Sequence, residues 1–468
     1  MKKTFYITTA IDYVNARPHV GHAFEKTITD VIARWNRLQG KEVFFLTGVD
    51  ENAQKNVQAA EKAGIPIKQF VDKNTSLFLE LCKKLNISYD DFIRTSTKEH
   101  AKVVKEMLQK IIDKKDIYKG TYSGLYCTGC ETYYTEKDLI DGKCPEHATK
   151  PELREEEAYF FKLSKYKSKL LKIIPSYVIP SSKGNEVLTR VKEELNDICI
   201  SRKDVQWGIS FPNDENFKVW VWIDALINYV SGSKGNWPAD THVIGKGINW
   251  FHSVIWPSLL LSASLPLPKK LLVHGYLNIK GRKISKSLGN TIDPLELLEK
   301  YDADIVRYSL LRNTIFEDSD YSEELLIQRN NDELANKLGN LFSRVSALAE
   351  KHGLDKTNPS LNSSQTYKKV SAFLKNYETD KALSEIFAFI DKCNSFIQQK
   401  KPWETKDKKV LYELSAAIKD IAILLSPFLP ETAEKIADVF NFELSLKNLK
   451  SPLKLSKIKK SPILFRKI

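Results

Sequence analysis

The feature that most constrains this chain is a strand–helix–strand unit in its first 46 residues. Residues 5–10 are apolar, aromatic or β-branched, the composition of a buried strand. A loop with Pro18 follows. Ile28, Val31, Ile32, Trp35 and Leu38 then keep helical spacing, which predicts a helix over 21–38 stopped by Gly40. Residues 43–46 read as the second strand. Two strands joined through a helix over so short a span indicate a parallel crossover unit, so the fold class is α/β.

Two further amphipathic helices fill 51–85. From about Tyr118 the texture changes. Aromatics, glycines and clustered cysteines appear, then the acidic run Glu155-Glu156-Glu157, as in an insertion rather than a continued sheet. The α/β pattern resumes near Val219 and includes a strand at His242-Val243-Ile244. Beyond about Tyr321 the periodicity is helical only. Leu334, Leu338, Leu341, Val345 and Leu348 step by four and three, the apolar stripe of a bundle helix, and similar stripes run over 383–396 and 410–425. A length of 468 residues allows two to four domains. No stretch approaches the roughly 20 apolar residues that span a membrane. Met1-Lys2-Lys3-Thr4-Phe5-Tyr6-Ile7 lacks the apolar core of a signal peptide, so the expected location is cytoplasmic.

The net charge of +13 suits a polyanion partner, although lysine in place of arginine almost throughout accounts for the same excess. The most basic stretch is 447–468, with eight Lys or Arg and no acid. Cysteine usage is local. Cys127-x-x-Cys130, thirteen intervening residues and Cys144-x-x-His147 offer four ligands in two paired turns, the pattern of a closed structural zinc site. Cys82, Cys199 and Cys393 stand alone and read as small buried side chains.

Two short segments carry the chemistry. His19-Val20-Gly21-His22 opens the first helix, so both imidazoles face one ligand and Gly21 leaves the backbone accessible. Free N–H groups and the helix dipole favour phosphate there. About 260 residues later, Lys283-Ile284-Ser285-Lys286-Ser287 follows Leu271-Leu272-Val273-His274-Gly275-Tyr276, between Gly281 and Gly289. Its lysines suit the outer phosphates of a nucleotide, on a loop able to move.

In this order the two segments resemble the paired signatures of class I aminoacyl-tRNA synthetases, usually written HIGH and KMSKS. With Thr8-Thr9-Ala10-Ile11-Asp12-Tyr13, Thr47-Gly48-Val49-Asp50-Glu51, Val221-Trp222-Ile223-Asp224-Ala225 and Ile244-Gly245-Lys246-Gly247-Ile248, the chain is similar to the bacterial methionyl-tRNA synthetase family. The likeness runs from Tyr6 to Leu464-Phe465-Arg466.

The resemblance implies a Rossmann-type parallel-sheet catalytic domain at 1–117 and 207–270. A zinc-knuckle connective domain is inserted at 118–206, a stem-contact region with the KISKS loop covers 271–322, and an all-α anticodon-binding bundle covers 323–468. It implies activation of methionine by ATP and transfer to initiator and elongator tRNA(Met). His19, His22, Lys283 and Lys286 would be catalytic, and Gly21 and Ser285 would also touch ATP. Methionine would lie among Ala10, Ile11, Tyr13, Trp222, Ala225, Leu226, Tyr229, Ile248 and His252, with Asp50 on its ammonium. Tyr229 and His252 would bond the sulfur or one another. Asn340, Arg344 and Trp403 would read the anticodon, with the indole stacking a base. One structural Zn2+ is expected at Cys127, Cys130, Cys144 and His147, and Mg2+ with ATP. A monomer without a large editing domain is expected, since about 90 residues separate Lys114 from Gln206.

Three departures stand out. Gly247 occupies a position where the family usually has Asp, which removes an acid from the expected ribose contact; restoring it is expected to tighten ATP binding. Asn52-Ala53 replaces the usual His-Gly after Asp50-Glu51, and Ile284 replaces Met. The competing readings are a cysteine-, valine- or isoleucine-specific synthetase, and an RNA-binding relative without catalysis.

Overall fold

The computed structural model describes residues 4–130, 132–203, 205–279, 281–283, 291–449, 451–454, 458 and 461–468. Its organising element is a parallel sheet. Strand β1 (Phe5–Thr9) lies between β2 (Val43–Asp50) and β3 (Thr241–Gly245), parallel to both. Beyond β3 come β4 (Lys270–His274) and then Val178–Ile179, while β2 also pairs with Asp91–Arg94 and, at its C-terminal end, with Asp12–Tyr13. Helix α1 (Val20–Leu38) makes the crossover from β1 to β2.

The expected strand over 43–46 continues to Asp50. Its last residues are buried, and Gly48 lets the neighbouring strand close in, since a Cβ there would lie 2.2 Å from the Ile93 carbonyl oxygen. The expected helix over 21–38 begins at Val20. The chain leaves β1 towards β2 on one side and is joined by β3 and β4 on the other. The order therefore reverses at β1, and the crevice of such a sheet opens at the C-terminal ends of the strands flanking that reversal.

The insertion is built on a long antiparallel pair, Ile117–Cys127 with Glu152–Phe161, edged by Thr132–Tyr134 and Ile198–Cys199. Within 118–206, however, Val178–Ile179 returns to the central sheet, its buried Val178 in register with Leu271. Helices Lys167–Tyr177 and Ser181–Glu193 bracket that return.

Beyond Tyr321, helix Glu323–Arg329 runs through a wider-turned segment, Asn330–Gly339, into Asn340–His352. Helices Ser364–Lys375, Thr379–Lys400, Lys408–Leu425 and Pro430–Phe440 extend the bundle, with the short helix Pro402–Thr405 between the second and third. Leu334, Leu338, Leu341 and Val345 are fully buried in it, as their spacing requires. The end of the chain folds back over this bundle, where Asn330 donates to the Arg466 carbonyl at 2.8 Å and Phe465 is buried. Among the described residues no helix is long and apolar enough to cross a membrane.

One guanidinium joins the bundle to the sheet. Arg307, in helix Ala303–Leu311, is fully buried and lies 2.8 Å from the equally buried Asp30 of α1. It also donates to the carbonyls of Leu85 (3.1 Å), Pro427 (3.0 Å) and Phe428 (2.9 Å). Burial alone would raise the Asp30 carboxyl, but Arg307, Arg34 and two bonds from Ser88 hold it below its ordinary value. Removing one partner of such a pair strands a charge and three carbonyls. Arg307→Met is expected to lower the unfolding free energy by roughly 3–5 kcal/mol in urea titrations, and a loss below about 1 kcal/mol would show that the carbonyls and Asp30 find other partners.

Candidate active site

The crevice at the reversal holds a cavity of about 340 Å³ lined from the ends of all four strands. One wall is the start of α1. His19 is the N-cap, and its Nδ1 accepts from the Gly21 amide at 3.1 Å; His22 Nδ1 accepts from the His19 amide at 3.1 Å. The two rings stack with centroids 3.7 Å apart. Each neutral imidazole therefore uses its Nδ1 lone pair on the backbone and carries its proton on Nε2. The helix start thus presents two side-chain N–H donors, while its own first amides are already satisfied by the Ile292 carbonyl, His19 Nδ1 and the His19 carbonyl. Asp12, which forms a buried ion pair with Lys26 at 2.5 Å, lies 3.8 Å from His22 Nε2.

The opposite end is apolar and aromatic. Trp222 lies on Phe251, with centroids 3.7 Å and planes 5° apart, and Tyr13 meets Trp222 edge-on at 6.3 Å. At the base, His252 Nδ1 lies 3.0 Å from the Ile248 carbonyl and its Nε2 lies 2.7 Å from the Tyr229 hydroxyl. A carbonyl only accepts, so Nδ1 carries the proton and the Tyr229 hydroxyl donates to Nε2. Tyr229 and His252 therefore bond one another. Burial pushes His252 down to about 4 and raises Tyr229 well above its usual value, so both stay neutral.

At the end of β2, the Asn52 amide donates to Asp50 Oδ1 at 3.1 Å, and the Asn52 side chain donates to Asp224 Oδ2 at 2.7 Å. Asn52, which stands at the departure noted in the sequence, thus spans two buried acids. Glu25 ties three elements together: its carboxylate accepts from the Ala10 amide at 2.9 Å and lies 3.0 Å from His274 Nε2.

The cavity gathers Ala10, Ile11, Tyr13, His19, Gly21, His22, Asp50, Trp222, Ala225, Leu226, Tyr229, Ile248 and His252, all singled out in the sequence. It also contains residues that sequence reasoning passed over: Glu25, Lys55, His274 and Tyr276. An acid within an otherwise apolar helical stripe was the available signal for Glu25. Of the KISKS segment, the backbone of Lys283 pairs with Asn278. The Lys283 side chain, and Ile284, Ser285, Lys286 and Gly289, lie outside the described residues.

The predicted metal ligands converge. Ligand atoms of Cys127, Cys130, Cys144 and His147 all lie within 4.8 Å of one another, and Tyr134 donates to Cys130 Sγ at 3.0 Å. Gly129 makes room for the imidazole, since a Cβ there would come within 2.7 Å of it. Three sulfurs and one nitrogen at this spacing fit tetrahedral closure around one metal ion. The cluster also touches the cavity wall, since Trp222 Nε1 donates to the Cys130 carbonyl at 3.2 Å. In the bundle, the Arg344 guanidinium covers the Trp403 ring at 4.9 Å, and that ring is 37% exposed. Asn340 is exposed one turn before Arg344 on the same helix.

Comparison with known proteins gives consistent matches. The family described as tRNA synthetases class I (M) matches residues 5–150 and 137–346, and the anticodon-binding domain of tRNA ligase matches 362–462. The chain is 40% identical over 505 residues to the methionine–tRNA ligase of Clostridium acetobutylicum, covering 100% of this chain and 78% of that protein. It is 39% identical to the methionine–tRNA ligase of Brucella suis, covering 94% and 92%. Among solved structures, Mycobacterium tuberculosis methionyl-tRNA synthetase in complex with methionyl-adenylate matches with a TM-score of 0.95 at 34% identity, over 99% of both chains. The apo form of that enzyme matches with a TM-score of 0.88 at 32% identity, covering 100% of this chain and 99% of the other.

The buried neutral histidines set a pH dependence. His242, behind Tyr229, is also held well below its usual value by burial and by His252. An unfolded histidine titrates near 6.5. Between that value and the folded one, the unfolded chain binds more protons. Stability from these groups is therefore full above about pH 6.5 and lost as pH falls towards about 4 for His252. The melting temperature is expected to drop between about pH 7 and pH 5, and to drop less in His252→Gln; an unchanged slope would assign the effect to other groups.

Proposed function

The chain belongs to the methionine–tRNA ligase family of class I synthetases, and we propose the roles its own residues take in that reaction. Methionine carboxylate attacks the ATP α-phosphorus in line, the bond to pyrophosphate breaks, and methionyl-adenylate forms. A ribose hydroxyl of the terminal adenosine of initiator or elongator tRNA(Met) then takes the methionyl group and AMP leaves. Neither step needs a covalent enzyme intermediate, so positioning and charge stabilisation carry the rate. The observation that carries the reading is a single cavity lined by every expected methionine contact and by the His19–Gly21–His22 face.

His19 and His22 direct Nε2–H donors at the α-phosphate oxygens as charge develops there. Lys283, Ser285 and Lys286 hold the outer phosphates with Mg2+. Asp50, anchored by Asn52, takes the substrate ammonium. Trp222 and Tyr13 contact the thioether, which is polarisable and suits aromatic faces. The Tyr229 proton is committed to His252, so that pair shapes the sulfur pocket as a neutral unit. The Arg344–Trp403 stack, with Asn340, forms the platform for the unstacked anticodon bases. The five-part division of the chain, a monomeric state and a cytoplasmic location belong to the same reading. ATP–pyrophosphate exchange assayed with each of the twenty amino acids, without tRNA, is expected to proceed with methionine alone. Exchange with another amino acid would reassign the pocket.

The metal ion is proposed to be zinc, which when bound closes the two turns and leaves no open coordination site for catalysis. Its ligands hold Cys130, whose carbonyl holds Trp222. About one zinc per chain is expected by elemental analysis, lost in Cys127→Ser. Removing it by chelation should raise the KM for methionine more than that for ATP. Equal KM values in folded, zinc-free protein would show that the Cys130–Trp222 contact does not shape the pocket.

A further inference from the structure

The wall of the cavity at the end of β3 and β4 is unusually bare. Gly245, Gly247 and Gly275 expose backbone there, and the side chain that rises among them is Tyr276. Its hydroxyl fills the space above Gly247 so closely that a Cβ on that residue would lie 1.9 Å from Oη. The phenol is held from below as well. Lys246 lies over the ring at 4.9 Å and pairs with Asp318 at 2.7 Å, while the Tyr276 amide donates to Asp318 Oδ1 at 2.9 Å. From the metal-binding loop, Glu146 Oε2 lies 3.7 Å from the Gly247 Cβ position. Burial, reinforced by Glu146, pushes the phenol up, so it remains a neutral hydroxyl.

A nucleotide in a crevice of this kind lays its ribose against the C-terminal ends of the strands, where a polar side chain meets the ribose hydroxyls. An acid commonly does this. Here position 247 has no side chain, and its space is already filled. We propose that the Tyr276 hydroxyl, packed over Gly247, is the group that binds the ribose hydroxyls of ATP, an inference that rests on the ATP-dependent reading of the cleft. The glycine and the tyrosine then form one device. Gly247 is bare because the phenol occupies the volume an acidic side chain would need, and an acid restored there would displace the phenol instead of adding a contact. This reverses the expectation, drawn from the sequence alone, that Asp at 247 tightens ATP binding.

The test uses the full-length, zinc-loaded protein in methionine-dependent ATP–pyrophosphate exchange, with ATP, 2′-deoxy-ATP and 3′-deoxy-ATP as substrates. Wild type is expected to favour ATP over at least one deoxy analogue by about tenfold, the value of one good hydrogen bond. Tyr276→Phe should lose that preference by raising the KM for ATP, with the KM for the deoxy analogue and for methionine nearly unchanged. Gly247→Asp should weaken ATP. A Tyr276→Phe variant that keeps the wild-type preference would overturn the proposal, as would Gly247→Asp binding ATP more tightly. A wild type that uses ATP without discriminating either analogue would overturn it too, leaving the ATP reading intact. Absence of exchange with any amino acid would instead strike at that reading itself.

Discussion

The reversal of strand order at β1 is the constraint on which the site depends. A strand with parallel neighbours on both sides, reached by connections that leave in opposite senses, cannot have its C-terminal end covered by either connection. The crevice there follows from topology before any side chain is chosen. The side chains then reinforce it. Ala10, the first residue beyond β1, gives its amide to Glu25 of α1, whose other oxygen reaches His274 at the end of β4. One carboxylate thus ties strand, crossover helix and outer strand across the floor of the cleft. The methionine end and the phosphate end are held in one frame, and in-line attack requires such fixed spacing.

The start of α1 joins structure to chemistry in a similar way. A helix N-terminus leaves amides that need acceptors, usually supplied by Ser, Thr, Asn or Asp. Two imidazoles do that work here through Nδ1, and their protons are thereby placed on Nε2. The cap and the donors that face the cavity are the same two rings. Farther along the same helix, Asp30 engages Arg307 and through it the Pro427–Phe428 turn of the bundle. One helix therefore sets the imidazole donors at its beginning and, in its middle, meets through Asp30 the arginine that holds the bundle.

Much of this was legible in the sequence because the signals were local. The first crossover unit, the bundle stripe through Leu334 and Val345, and the cysteine–histidine spacing each reflect a period or a turn geometry written in consecutive residues. The expected methionine contacts came from the resemblance, and the cavity brings them together. What escaped depends on partners distant in the chain. Val178–Ile179 joins the central sheet through an edge offered by β4, over 90 residues later. Two isolated apolar residues carry no periodicity that could announce this. Arg307 is held by carbonyls 120 or more residues away in the chain, which no local pattern reports. Gly247 reads as the loss of an acid, and only the position of Tyr276 shows the space already taken.

The cleft divides its electrostatics by function. Around the base of the apolar pocket, polarity is neutral and internally satisfied: His252, Tyr229 and the Ile248 carbonyl form a closed chain. A charged group there would have to be desolvated beside an uncharged thioether, with nothing gained in return. At the other end the substrate brings the charge, and the start of α1 meets it with fixed imidazole N–H groups. Trp222 stands at the seam, stacked on Phe251 and tethered to the Cys130 carbonyl. That tether runs from a turn whose Cys130 converges with Cys127, Cys144 and His147 in a cluster fit to hold a metal ion. A wall of the cavity is therefore tied to a candidate metal cluster outside the sheet. The inserted segment thus reaches the cavity through a backbone carbonyl, while the sulfur and imidazole groups of its cluster face one another.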